Sequence, residues 1–180
     1  MNRTNESLRI LVAEDEKDMR DIYKELLERY NYNVFTSQDG KECVDIYQEE
    51  TELKKYEINE NGQISPFEVV ILDYMMPKKN GLQAAQEILR INPRQRIIFA
   101  SAFLEGTVLE SAKQLGRIVE VIKKPFRVEK LIDLVENKEI FQQLEKLNVN
   151  IHNLKQINPN QESMKIYLEA LSILEKKVIS

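Results

Sequence analysis

Phe67-Glu68-Val69-Val70-Ile71-Leu72-Asp73-Tyr74-Met75-Met76-Pro77 decides how the chain is read. Val69 to Leu72 is a short unbroken apolar run, the pattern of a strand buried on both faces of a parallel sheet. Such a strand should not end in a bare carboxylate, because an unpaired charge at the edge of a core is costly. Asp73 therefore needs a chemical reason. In open α/β sheets, ligands bind beyond the carboxyl ends of the strands. A carboxylate placed there can serve as a nucleophile or a metal ligand. Pro77 stops the strand and Asn80-Gly81 supplies a turn. Lys78 and Lys79 between them read as a solvated loop.

The rest of the chain repeats this arrangement. Leu8 to Ala13 is an apolar run ending in Glu14-Asp15-Glu16. A helix follows, with Met19, Ile22, Tyr23, Leu26 and Tyr30 at helical spacing. Asn33 to Ser37 is a short strand, Asp39-Gly40 a turn, and a helix begins near Lys41 with Val44, Ile46 and Tyr47. Residues 49–65 are charged and weakly periodic, and read as a helix extension followed by a solvated loop. Leu82, Ala85, Ile88 and Leu89 mark a helix closed by Asn92-Pro93. Arg96 to Ala100 is a strand that delivers Ser101. Val108, Leu109, Ala112 and Leu115 mark a helix closed by Gly116. Ile118 to Ile122 is a strand ending in Lys123-Lys124-Pro125-Phe126. Val128, Leu131, Ile132 and Val135 open another helix. Strand and helix alternate five times, which predicts a doubly wound, five-stranded parallel sheet of flavodoxin-like type.

After residue 137 the pattern changes. Ile140, Leu144, Leu147, Ile151 and Leu154 alternate spacings of four and three, as do Met164, Tyr167, Leu171, Leu174 and Val178. Asn158-Pro159 separates the two seams. The expected organisation is an α/β domain over 1–137, with an extended segment at 49–65, and a helical hairpin over 138–180 continuous with the fifth helix. Such a hairpin either packs back on its own sheet domain or pairs across a two-fold axis, and exposed seams favour the second, self-association into a homodimer.

Bulk properties exclude several classes. A net charge of −4 and a pI near 5.3 argue against nucleic acid as the main partner. No apolar run reaches the length of a membrane span, and the first residues show no secretory signal. The lone cysteine, Cys43, excludes an internal disulfide framework, fits a reducing cytoplasm and reads as core filler.

Glu14, Asp15, Asp73, Ser101 and Lys124 all fall at strand ends. Three acids together repel and must be offset by cations. Lys124 supplies one charge. Mg²⁺ would supply the rest, since it prefers carboxylate and water oxygens. No cysteine or histidine stands near these positions, so zinc does not suit them. Addition of a phosphoryl group to Asp73 then makes sense, with Lys124 and the Ser101 hydroxyl stabilising its oxygens.

These residues resemble a known family. Asp73-Tyr74-Met75-Met76-Pro77-Lys78-Lys79-Asn80-Gly81 is similar to the phosphoacceptor motif of response-regulator receiver domains. Glu14-Asp15 resembles their acidic pair, Ser101-Ala102 their switch, and Lys124-Pro125-Phe126 their Lys-Pro-Phe. The resemblance spans about Leu8 to Asn137. It implies that Asp73 accepts phosphate from a histidine kinase, a phosphotransfer protein or a small phosphodonor. It implies that Asp15, Asp73 and the Met75 backbone carbonyl bind Mg²⁺ directly, and Glu14 through water. It further implies a cis Lys124-Pro125 peptide and a Ser101 that swings toward the phosphate. Two features depart from the family. Val121 stands where receivers commonly carry an aromatic, and the chain between Gly40 and Asp73 is longer than usual.

The reading is a non-enzymatic two-component phosphorelay regulator in which Asp73 phosphorylation alters a protein–protein interaction or dimerisation surface. Its output partner is not legible. A phosphorylation-independent receiver-like scaffold is the alternative, and Val121 favours it. A phosphohydrolase using Asp73 would need a second acid two residues on, where Met75 stands. His152, the single histidine, reads as a solvent-facing helix residue rather than a phosphotransfer site.

Overall fold

The computed structural model describes residues 7–54, 65–117, 119–136, 169 and 173. Its elements are β1 (Arg9–Ala13), α1 (Lys17–Arg29), β2 (Asn33–Ser37), α2 (Gly40–Leu53), β3 (Val69–Asp73), α3 (Gly81–Ile91), β4 (Ile97–Ser101), α4 (Leu104–Leu115), β5 (Glu120–Lys123) and α5 (Val128–Glu136). The strands form one five-stranded parallel sheet in the order β2-β1-β3-β4-β5, the flavodoxin-like arrangement expected from the alternation. The hairpin expected over 138–180 and the loop at 55–64 lie outside the described residues, apart from Glu169 and Ile173. The chain divides into two compact units, Met1–Ile98 and Phe99–Ser180.

In the first unit, β3 is buried at every position, including Asp73. That follows from a run with no polar alternation, since both faces must be covered. β1 pairs with β3 from Ile10↔Val69 to Ala13↔Leu72, and with β2 from Arg9↔Asn33 to Ala13↔Ser37. One step further along the first register brings Glu14 level with Asp73. α1 buries Tyr23 and Leu27, one turn apart. α2 buries Cys43, Val44 and Tyr47. Cys43 is core filler as expected, and burial pushes its thiol up to about 12, so it stays protonated.

The amino ends of the strands are held by an aromatic cluster. Phe67 meets Phe35 edge-on at 5.2 Å and Tyr47 at 5.9 Å. The Arg9 guanidinium lies 4.7 Å from the Phe35 ring centre and 5.3 Å from that of Phe67, and it pairs with Glu50 on α2. Each buried ring contributes about 2–3 kcal/mol of apolar burial. Tyr47 and Ser65 both donate to the Gln95 side-chain oxygen, at 2.7 and 3.0 Å.

Two readings of the sequence change here. Asp39-Gly40 is more than a turn. Asp39 is the N-cap of α2, with Oδ1 accepting the Lys41 and Glu42 amides at 2.9 Å each. Lys78 and Lys79 are also not a merely solvated loop. Lys78 donates to Asp39 Oδ2 at 2.5 Å, and Lys79 pairs with Glu87 of α3 at 2.5 Å. Asp39 is only 2 % exposed, so its charge requires these partners. The Lys78 ammonium, and then the Glu42 amide, hold its carboxyl below the usual aspartate value. A depressed pKa means stability present above the ordinary value of about 4 and lost as pH falls through the folded one. Asp39→Ala is expected to cost about 1–3 kcal/mol at pH 7. It should also flatten the loss of stability on acidification below about pH 4. Urea unfolding of both proteins at neutral and acid pH checks this.

In the second unit, β4 ends in a buried Ser101, and α4 closes at Gly116 with φ 67°, the left-handed stop expected there. β5 is shorter than the sequence pattern suggests, beginning at Glu120. α5 buries Leu131, Ile132 and Val135.

Candidate functional site

The register of β1 against β3 brings the acids together. One carboxylate oxygen from each of Glu14, Asp15 and Asp73 lies within 4.8 Å of the others. Glu14 is 2 % exposed, Asp73 9 %, and Asp15 open to solvent. Three carboxylates this close repel one another, and a bound cation would offset that repulsion. The donor set is all oxygen, with no histidine or thiolate in the cluster, which fits a hard divalent ion rather than zinc.

Local structure holds each acid. Glu14 follows β1 directly, and its amide donates to the Ser37 carbonyl of β2 at 3.1 Å. Arg20, in the first turns of α1, donates through one nitrogen to the Glu14 carbonyl at 2.7 Å and the Asp15 carbonyl at 3.2 Å. The sequence reading missed Arg20. Its signal was its place one helical turn past the acidic run, where a long cation folds back over the preceding loop. Asp73 Oδ1 accepts the Met75 amide at 3.1 Å, which fixes the carboxylate's rotation. The Met75 side chain is 69 % exposed.

The loop after Asp73 is held at its far end. Asn80 and Gln83 form a reciprocal capping box at the start of α3, at 2.9 and 3.1 Å. Gly81 donates to the Tyr74 carbonyl at 3.2 Å. Gly40, at the start of α2, donates to the Lys79 carbonyl at 3.1 Å. Both helices therefore begin against this loop.

Ser101 and Lys124 belong to the second unit. The Lys124 amide donates to the Ser101 carbonyl at 2.8 Å, so the ends of β4 and β5 are joined there. Lys124 is half-buried, and its peptide bond to Pro125 is cis, as the resemblance implied. Ser101 is 2 % exposed, and its Oγ accepts the Phe103 amide and the Thr107 hydroxyl. Val121 is half-buried on β5.

A five-stranded parallel sheet with an all-oxygen acid cluster at the carboxyl ends of β1 and β3 defines a flavodoxin-like regulatory domain of the receiver class. The comparisons agree. Residues 10–136 match the response regulator receiver domain family, and the chain belongs to that family. It is 29 % identical over 128 residues to the response regulator receiver protein CpdR of Brucella abortus, covering 71 % of this chain and 93 % of that protein. It is 28 % identical over 126 residues to the chemotaxis protein CheY of Thermotoga maritima, covering 69 % and 92 %. A response regulator receiver domain protein from Clostridium thermocellum superposes with a TM-score of 0.59 at 26 % identity, covering 77 % of this chain and 98 % of that one. The chain is thus a receiver of two-component signalling, a regulatory domain. No helix among the described residues is long and apolar enough to cross a membrane.

Proposed function

We propose that Asp73 is the phosphoacceptor of this receiver and that its phosphorylation depends on Mg²⁺. The observation that carries this is the convergence of Glu14 and Asp15 on Asp73 at the sheet's carboxyl edge. Phosphoryl transfer asks little covalent work of the protein; positioning and charge stabilisation do most of it. A carboxyl oxygen of Asp73 forms the bond to phosphorus while the bond to the donor's phosphohistidine nitrogen, or to the acyl oxygen of a small phosphodonor, breaks. The Met75 amide holds the carboxylate for that approach. Glu14, Asp15, Asp73 and the Met75 carbonyl are the residues that would hold Mg²⁺, which when bound offsets the negative charge of acids and phosphoryl oxygens. Lys124 supplies a further positive charge, and Ser101 a hydroxyl that donates to a phosphoryl oxygen. The phosphate source is a histidine kinase or a phosphotransfer protein.

The output is a change in protein–protein contact. Residues 1–137 form the receiver, and the apolar seams of 138–180 supply a surface for a partner or for a homodimer. Acetyl phosphate with Mg²⁺ should add a single phosphoryl group by intact mass, and chelation with EDTA should prevent it. Light scattering on the same samples should show a larger species after phosphorylation.

Arg20 bears on the metal requirement. Its two carbonyl contacts orient the residues that would ligate Mg²⁺, and support of this kind is worth about 10–100-fold in affinity. Arg20→Ala is expected to weaken Mg²⁺ binding about tenfold in a calorimetric titration, with phosphoryl uptake recovered at high Mg²⁺.

Val121 favours one other reading, a scaffold whose contacts ignore phosphate. Beryllofluoride with Mg²⁺ that left spectra and association unchanged would support it.

A further inference from the structure

The hydroxyl that ends β4 is already engaged. Ser101 Oγ accepts the Phe103 amide at 3.1 Å and the Thr107 hydroxyl at 2.8 Å. A hydroxyl oxygen has two lone pairs, so these donors fill its accepting capacity. Both belong to the start of α4. Phe103 is the N-cap residue, with no side-chain cap of its own, and Thr107 lies one turn in. Ser101 and Thr107 are 2 % and 1 % exposed, so water does not compete for this contact.

We infer that Thr107 is a positioning residue that couples the state of Ser101 to the first turn of α4. This rests on the proposed role of Ser101 at the phosphate. When Ser101 rotates its hydroxyl toward a phosphoryl oxygen, both donors are released. The buried Thr107 hydroxyl must then find another acceptor, because leaving it unmet is costly. A helical threonine hydroxyl characteristically turns to the carbonyl four residues back, here that of Phe103. That oxygen already takes the Thr107 amide at 3.0 Å. A threonine hydroxyl that bonds back in this way bends its helix. The rotation at Ser101 therefore becomes a bend at the start of α4, where the Phe103 ring stands 73 % exposed. β5 carries Val121 where receivers commonly place an aromatic, so a ring there cannot follow Ser101. Thr107 makes the link from α4, the helix that follows β4.

The test is amide NMR of the full chain with and without beryllofluoride and Mg²⁺. In wild type the amides of residues 103–111 should shift on addition. In Thr107→Val, which keeps the shape but can neither donate to Ser101 nor bond back to Phe103, those amides should stay near their resting positions and move little. Beryllofluoride should bind about fivefold more tightly, because a contact of the resting state has been removed. Thr107→Ser should restore wild-type behaviour. Thr107→Ala should reproduce the loss if valine packs poorly. A wild-type response of the α4 amides in both Thr107→Val and Thr107→Ala would overturn the inference. Ser101→Ala separates the two levels. If it too leaves the α4 response intact, the role of Ser101 fails; if it abolishes that response while the Thr107 variants do not, only the coupling through Thr107 fails.

Discussion

Asp73→Asn is expected to take up no phosphoryl group from acetyl phosphate and Mg²⁺, under conditions where the wild type gains one. The substitution is nearly isosteric. An amide oxygen still accepts the Met75 N–H that Asp73 Oδ1 now takes at 3.1 Å. The loop is therefore retained while the nucleophile is lost, since a neutral carboxamide attacks phosphorus poorly. One charge also leaves a cluster of three acids. The folded state should persist, and Mg²⁺ binding should weaken. Intact mass gives the first result and calorimetry the second. A phosphoryl group carried by the Asn variant would move the acceptor elsewhere and remove the main proposal.

The second large effect concerns two glycines that allow backbones to touch. A Cβ on Gly81 would stand 2.3 Å from the Asp73 carbonyl oxygen, and one on Gly40 would stand 2.2 Å from that of Lys79. Both obstacles are main chain and cannot rotate away. Alanine ordinarily gains up to about 1 kcal/mol over glycine in a helix. Here overpacking wins, at about 3 kcal/mol or more for each variant. Gly106→Ala in α4 is the control. Its nearest neighbour would be the Phe103 Cβ at 4.0 Å, so it should stabilise by about 0.5–1 kcal/mol. Urea unfolding of the three variants checks the order. Gly81→Ala should also slow phosphoryl uptake, because the strain falls on the peptide of Asp73. Gly40→Ala presses on the Lys79 peptide, well along the loop from Asp73, and should slow it less.

These contrasts show what the sequence made legible. The strand runs, their order and the acids at their ends follow from short-range pattern, because a both-faces-buried strand leaves an apolar run and a functional edge leaves a charge. The cap at Asp39 was not legible, because aspartate followed by glycine serves turns and helix starts alike. The ties of Lys78 to Asp39 and of Lys79 to Glu87 join separate elements, and nothing near a lysine in the sequence announces a distant carboxylate. Arg20 and Thr107 escaped for a related reason. Each acts through a neighbour that carries the recognisable chemistry, and neither belongs to a motif.

The aromatic lock around Phe67 has a bearing on how such a chain can change over evolutionary time. It fixes where the polypeptide re-enters the sheet after α2, with Arg9 and Glu50 on one side and Tyr47, Gln95 and Ser65 on the other. Asp73 lies six residues downstream of Phe67, about 20 Å along an extended strand. Doubling the length of a flexible connection adds only about 0.6 kcal/mol of closure entropy. Added length between Lys54 and Ser65 therefore costs little and leaves the reactive edge undisturbed.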